Sequence, residues 1–232
     1  GNDNLFYSRR VGRRPQGYPS LQEGWSADIP TATTIIGAAK MTGKTHNGLS
    51  VGFIEAITAE EKAEIDTTGG SRIFEPVEPL TNYFVGRVQK DINEGNTIIG
   101  GIFTGTNRNL DDNLASFMHK NAFTGGIDFT QYFKKKSWML NINAALSNVS
   151  GTKEAIDLTQ RSSARYYQRP DNDYVNYDPD RTSLFGSGGR MQVMKLSGHW
   201  NYMLATIWKT PGFEINDIGY MQEADQIVTV LW

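Results

Sequence analysis

The sequence predicts an all-β fold: an antiparallel up-and-down transmembrane β-barrel, present as a partial barrel of about nine strands with long external loops. Three observations lead to this prediction. Apolar and polar residues alternate with a period of two in successive segments. The connections between these segments alternate between short and long, as they do in outer-membrane barrels. The polar faces carry mostly small uncharged residues, whereas a water-facing sheet usually carries more lysine and glutamate.

The bulk composition narrows the classes of protein that fit. Hydrophobic residues make up 38% of the 232-residue chain, and the mean hydropathy is -0.46. No apolar run approaches the roughly 18 to 20 residues of a membrane helix, which excludes a helical membrane protein but not a barrel. The net charge of -2 gives no basic surface for nucleic acid. The lack of cysteine excludes disulfides, thiolate metal sites and cysteine nucleophiles.

Two regions differ in their predicted organisation. Residues 1–32 are polar and irregular, with clustered arginines and prolines, and are predicted to form an extended lead-in segment. Residues 33–232 are predicted to form one domain of barrel strands and loops. We expect this domain to be truncated at both ends, because about nine strands is an odd count and single-chain bacterial barrels usually have an even number.

The strands can be assigned in order from their alternation and from the turns between them. They are predicted at residues 33–42, 49–58, 80–90, 97–106, 122–133, 138–149, 190–196, 200–209 and 225–232. The Asn47-Gly48 pair is a strong hairpin signal between the first two. Long connections are predicted at residues 59–79, 107–120, 150–187 and 210–223, with helical turns at 110–119 and 152–161. The short turns would face the periplasm and the long loops the exterior.

Aromatic residues offer a second test of the membrane prediction. Trp200 and Trp208 share one face of a strand, and their separation along a tilted barrel is about 20 Å, close to the height of a lipid-facing band. Phe123 and Phe133 bracket another strand in the same way. Ordinary core aromatics in a soluble sandwich or barrel remain the alternative interpretation.

One acidic loop is a candidate calcium site. Its carboxylate oxygens could bind Ca²⁺, although it lacks the spacing and central glycine of an EF-hand loop. A packed external loop that caps the lumen is the preferred interpretation. The candidate ligands are Asp171, Asp173, Asp178 and Asp180.

The histidines suggest little further chemistry. His46, His119 and His199 are scattered over two turns and a loop, so we expect no metal site and no cofactor. A hydrolase on the barrel would need a histidine, a serine and a carboxamide close together on the barrel wall. The candidates are His199 with Ser197 or Asn201. We therefore predict no catalytic residues and no enzymatic activity.

Several segments resemble a known family. They are residues 4–13 (NLFYSRRVGR), 36–45 (IGAAKMTGKT), 77–83 (VEPLTNY), 85–91 (VGRVQKD) and 211–220 (PGFEINDIGY). Together they resemble a poorly characterised family of Gram-negative envelope proteins. In that family a carbohydrate-binding-like domain of the family-nine type precedes an outer-membrane barrel region of unknown function. The resemblance covers nearly the whole chain and implies the front part of that barrel region, with the carbohydrate-binding-like domain before Gly1 and further strands after Trp232.

These observations predict a β-barrel protein of the cell outer membrane. We expect a pore or transport component, or a subunit of an envelope complex, with carbohydrate uptake as one option for its role. The expected partners are outer-membrane lipid and other envelope proteins, without nucleic acid, and a glycan or small-molecule ligand is left open. A soluble β-domain that binds carbohydrate and a barrel-borne hydrolase are the alternatives.

Overall fold

The computed structural model describes residues 4–171 and 173–232. The strands are β1 (Ser26–Asp28), β2 (Ile35–Lys44), β3 (Leu49–Thr58), β4 (Glu61–Asp66), β5 (Arg72–Glu78), β6 (Leu80–Ile92), β7 (Thr97–Asn109), β8 (Asn121–Phe133), β9 (Trp138–Ser150), β10 (Ser183–Lys195), β11 (Tyr202–Lys209) and β12 (Gln226–Leu231). The helices are α1 (Asp112–Ala115) and α2 (Lys153–Arg161), and a 3₁₀ turn covers Ser8–Arg10. None of the described helices is long and apolar enough to cross a membrane.

Nine strands form the main sheet, in the order β2-β3-β6-β7-β8-β9-β10-β11-β12, and every pairing is antiparallel. Apart from the step from β3 to β6, each strand pairs with the next one along the chain. This confirms the all-β prediction, the up-and-down order and the count of nine strands in the main sheet. Among the described residues the sheet is open: β2 and β12 form its two edges, and it is neither closed nor curled into a barrel.

A second, three-stranded sheet corrects the sequence prediction. The charged stretch 59–79 was expected to be a long connection, but it contains β4 and β5, and β1 from the lead-in segment pairs with β4. Ala63 and Ile65 alternate with charged neighbours along β4 and are fully buried. The strand has the expected period of two, but only two of its side chains are apolar, so the charges hide the pattern.

Strand β10 begins at Ser183, seven residues before the predicted start at 190. Its first half contains Gly186, Gly188 and Gly189, and glycine weakens a strand signal. These glycines allow close packing. A Cβ atom at Gly186 would lie 2.1 Å from the backbone nitrogen of Phe213, and one at Gly189 would lie 2.3 Å from the ring of Trp208. Glycine is therefore required at these positions by close packing within a strand and does not indicate a loop.

The pairing registers divide the main sheet into two faces. The outer face is the set of alternate positions that includes Phe103, Phe123, Ile127 and Leu146. The inner face is the opposite set, which includes Thr104, Thr124, Ala145 and Ser147. The inner-face examples are buried and the outer-face examples are exposed, so the larger apolar side chains point away from the packed interior.

Two irregular segments cover the inner face. The N-terminal segment (residues 4–20) contributes Leu5, Phe6 and Val11, and the return segment (residues 210–224) contributes Phe213 and Ile218. These side chains pack in two clusters against the inner face of the sheet. A third cluster lies beneath α2, and its members are Ala122, Val149, Ile156, Tyr167 and Leu184. The predicted external loop 210–223 is thus a packed layer of the molecule.

Candidate functional site

The outer face exposes large apolar side chains on most of its strands. Ile127 is 68% exposed in β8, Leu146 is 54% exposed in β9 and Ile227 is 78% exposed in β12. Large contiguous apolar patches are rare on soluble monomers, where they mark sites that bind another protein, a ligand or a membrane.

A row of four aromatic rings crosses this outer face. Phe53, Phe84, Phe103 and Phe123 come from four neighbouring strands, β3, β6, β7 and β8. Successive ring centroids lie 5.4, 6.0 and 6.2 Å apart, within the range of favourable aromatic contact. The rings therefore stabilise one another across the strands while their outer edges stay exposed.

Polar residues limit the apolar surface at both ends of the strands. At the loop end, where the long connections leave the strands, the Asn107 side chain donates a hydrogen bond of 2.9 Å to the Asn121 side chain. At the turn end, Trp138 lies opposite Lys195 in the pairing of β9 with β10. The ten residue-to-residue steps from Phe123 to Phe133 span about 33 Å along the strand, or about 25 Å along the axis at a typical barrel tilt.

The inner face carries several polar contacts beside its buried apolar residues. Arg87 and Asp128 form an ion pair of 2.8 Å between β6 and β8, and Asn141 donates to Thr130 Oγ1 at 2.9 Å. The Ser147 hydroxyl accepts the backbone N–H of Glu214 at 2.9 Å, which fixes the return segment to β9. The inner face thus combines these polar groups with buried apolar residues such as Tyr83 and Val85, while the outer face exposes its apolar side chains.

A buried ionic cluster joins the return segment to the loop end of the sheet. Arg108, at the end of β7, and Asp217, in the return segment, lie 2.5 Å apart from Nη1 to Oδ1. Their side chains are 1% and 8% exposed. His119 places Nδ1 2.8 Å from Asp217 Oδ2 and Nε2 2.7 Å from the hydroxyl oxygen of Thr159. The cluster therefore connects β7, the loop before β8, α2 and the return segment.

Burial alone would raise the pKa of the Asp217 carboxyl, but His119 and Arg108 hold that pKa well below its usual range. Burial alone would lower the pKa of His119, yet the Asp217 carboxylate outweighs it and raises that pKa above its ordinary value. Both effects favour a carboxylate paired with an imidazolium.

The order of hydroxyl, imidazole and carboxylate resembles that of a hydrolytic triad. A triad histidine must be neutral so that it can accept the hydroxyl proton, and the charge on His119 opposes that role. The Thr159 hydroxyl donates to the carbonyl oxygen of Ala155 at 2.9 Å. These contacts describe a stabilising ionic cluster in which the imidazolium donates from both nitrogens.

Three of the four predicted calcium ligands have other partners. Asp178 Oδ1 accepts the backbone N–H of Asp180 at 3.0 Å, and Asp180 Oδ1 lies 2.7 Å from Lys153 Nζ. Asp171 Oδ1 lies 3.8 Å from Arg169 Nε. Asp173 is exposed, and Asn172 of the same loop lies outside the described residues. Across residues 4–171 and 173–232, no group of three or more histidine and carboxylate side chains is placed to hold a metal ion.

The histidines differ in their surroundings. His46 and His199 are exposed in turns, as are Ser197 and Asn201, the other members of the predicted hydrolase candidate. His119 is the histidine with a defined site, which sequence reasoning missed because Asp217 lies 98 residues further along the chain. Only the return of residues 210–224 to the sheet brings the two together.

The fold and these contacts define an all-β protein with an antiparallel up-and-down sheet, an exposed apolar outer face and a packed inner face. The chain belongs to the family described as domain of unknown function DUF5916, which matches residues 1–232. No curated protein and no solved structure matches the chain. The link to a carbohydrate-binding-like domain stays a prediction.

Proposed function

We propose that the nine-stranded sheet is part of the wall of an outer-membrane β-barrel and that its outer face contacts lipid. The observation that carries the proposal is the exposed apolar face itself. Its apolar height of about 25 Å, at a typical strand tilt, matches the apolar band of outer-membrane barrels. Polar residues such as Asn107 and Lys195 stand at its two ends, where a bilayer meets water.

In a bilayer the two edge strands of the sheet, β2 and β12, would need partner strands. Unpaired backbone N–H and C=O groups cannot face lipid, because the bilayer core offers them no hydrogen-bond partners. The outer edges of β2 and β12 therefore need further strands, from the same chain or from another envelope protein. A closed barrel assembled in this way would place the inner face toward its lumen.

The segments that pack on the inner face would fill the lumen of such a barrel. The N-terminal and return segments pack against the inner face through apolar clusters and through the Arg108–Asp217 pair. A lumen filled in this way is typical of plugged transport proteins, not of open porins. We therefore propose a plugged transport component or a subunit of an envelope complex.

A pair of lysine substitutions tests the contact with lipid. Ile127 on the outer face and Leu158 on α2 are 68% and 51% exposed, so each would accept lysine in a molecule surrounded by water. In lipid vesicles we expect Ile127→Lys to lower the free energy of unfolding by about 2–4 kcal/mol, the cost of a cation near the middle of a bilayer. Leu158→Lys, on the helix beyond the strands, is the matched control and should change it by about 0.5 kcal/mol or less.

The free energies are measured by urea unfolding of the complete protein in vesicles, followed by tryptophan fluorescence. Equal small effects of both substitutions would contradict the proposal and favour a soluble β-domain. Recovery of the complete protein as a monodisperse solution without detergent would contradict it as well.

A further inference from the structure

A cavity of about 250 Å³ lies where the N-terminal segment, the loop end of the sheet and the return segment meet. Its charged lining residues come from all three elements and are Arg10, Arg13, Arg108, His119, Glu214 and Asp217. The cavity therefore lies beside the ionic cluster, under the cover of the inner face.

The charges around this cavity do not balance. Four cationic groups face two carboxylates, with His119 charged as described above. One of those carboxylates, Glu214, is already paired with Arg165 at 2.7 Å. The other, Asp217, is shared between Arg108 and His119. The cavity is therefore left with an excess of positive charge.

Arg13 is the clearest part of this excess. In the described part of the chain its guanidinium makes no hydrogen bond and no ion pair, and its Nε is buried without an acceptor. The Nε of Arg108, whose side chain is 1% exposed, is buried without an acceptor too. The nearby carboxylate of Glu78 is occupied by Gln16, which donates from its backbone at 2.9 Å and its side chain at 3.2 Å. A buried guanidinium N–H without an acceptor is costly, so an anion that accepted from these two Nε groups would be stabilised here.

We propose that this cavity binds an oxyanion, a carboxylate or phosphate group, between the guanidinium groups of Arg13 and Arg108. Guanidinium groups recognise such anions through paired charge-assisted hydrogen bonds. Phe117 and Met118 also line the cavity and offer apolar contact to the rest of a small acidic ligand. The site belongs to the cover and does not depend on whether the outer face meets lipid.

Substitution of Arg13 separates a ligand-binding role from a structural one. The Arg13 guanidinium bonds to no described residue, so Arg13→Gln should leave the ligand-free protein at least as stable as the wild type. The same change should weaken binding of the anion by about tenfold or more, the usual effect of losing a charged hydrogen bond. Arg9→Gln and Arg14→Gln are matched controls, because both arginines are exposed in the same segment.

Binding is measured by calorimetry on the complete protein with inorganic phosphate and, separately, with acetate, at constant ionic strength set by chloride. Thermal unfolding with and without each anion gives the second readout. Saturable binding of either anion that Arg13→Gln weakens and the controls retain supports the proposal, and the preferred anion identifies a phosphate or a carboxylate ligand.

Three results would overturn the proposal. The first is the absence of saturable binding of both anions to the wild type. The second is equal binding by the wild type and Arg13→Gln. The third is a loss of stability of ligand-free Arg13→Gln, which would assign Arg13 a structural role.

Discussion

At the scale of single residues, the buried Arg108–Asp217–His119 cluster holds the return segment against the sheet through ionic contacts. Asp217 accepts from two cationic groups, so removal of either cation leaves a buried carboxylate that is less well compensated. His119 is the member that titrates within an accessible range of pH. The free energy of unfolding should therefore depend on pH through His119.

The direction of the pH effect follows from the raised pKa of His119. A group whose pKa is higher in the folded state stabilises that state fully below its unfolded value of about 6.5, and the stabilisation is lost as the pH rises through the folded value. The free energy of unfolding should therefore fall above about pH 6.5, whereas His119→Gln should lower it by about 1.5–3 kcal/mol at about pH 6 and flatten this fall.

Urea unfolding measured between about pH 6 and pH 9 checks this expectation. His46→Gln is the control, because His46 is exposed in the turn between β2 and β3. A wild-type profile that keeps its full slope in His119→Gln would show that another group titrates and would contradict the role given to this imidazole.

At the scale of secondary structure elements, the contact between β10 and the return segment depends on a glycine. A Cβ atom at Gly186 would meet the backbone of Phe213 and Gly212 at 2.1 and 2.4 Å, and neither can move like a side-chain end. Gly186→Ala should therefore displace the return segment and cost about 1–3 kcal/mol, the usual cost of overpacking.

Thermal unfolding and cleavage by a glutamate-specific protease at Glu214, now buried, measure this displacement. Gly125→Ala is the matched control, since Gly125 lies in a strand of the same sheet and a Cβ atom there would meet nothing within 4 Å. Unchanged stability and protection in Gly186→Ala would mean that the return segment does not need this close approach.

Much of the main sheet could be predicted from sequence, because its strands follow simple alternation. Residues 49–58 match β3, and the predicted strands at 80–90, 97–106, 122–133 and 138–149 start within a residue of β6, β7, β8 and β9. Charge hid β4, and glycine hid the first half of β10. In β4 and in the first half of β10, the residue types suit contacts with distant parts of the chain, so they do not form a local strand pattern.

The ionic cluster and the cavity could not be predicted in this way. Arg108 and Asp217 are 109 residues apart, and nothing in the local sequence of either indicates the other. The arginine-rich residues 9–14 were noticeable, but the pattern alone could not separate the exposed Arg9 from Arg13, which faces the cavity. Only the packing of the N-terminal segment against the sheet makes that distinction.

At the scale of the whole molecule, the main sheet carries apolar side chains on its exposed outer face as well as on its packed inner face. Its outer face exposes large apolar side chains, and its inner face, which mixes buried apolar residues with polar ones, packs under two segments of the chain. In water this arrangement would leave a large apolar surface without a partner. The proposed contact of the outer face with lipid would remove that cost and give the aromatic row an apolar partner.

The most direct test of this central claim is the accessibility of single spin labels in lipid vesicles. The chain has no cysteine, so Ile127→Cys and Glu94→Cys each give one defined attachment point, on the outer face and in the turn after β6. If the outer face contacts lipid, the label at position 127 should relax with oxygen dissolved in lipid and be shielded from a water-soluble nickel complex, while the label at position 94 should show the opposite. Equal access of the nickel complex to both labels would contradict contact with lipid.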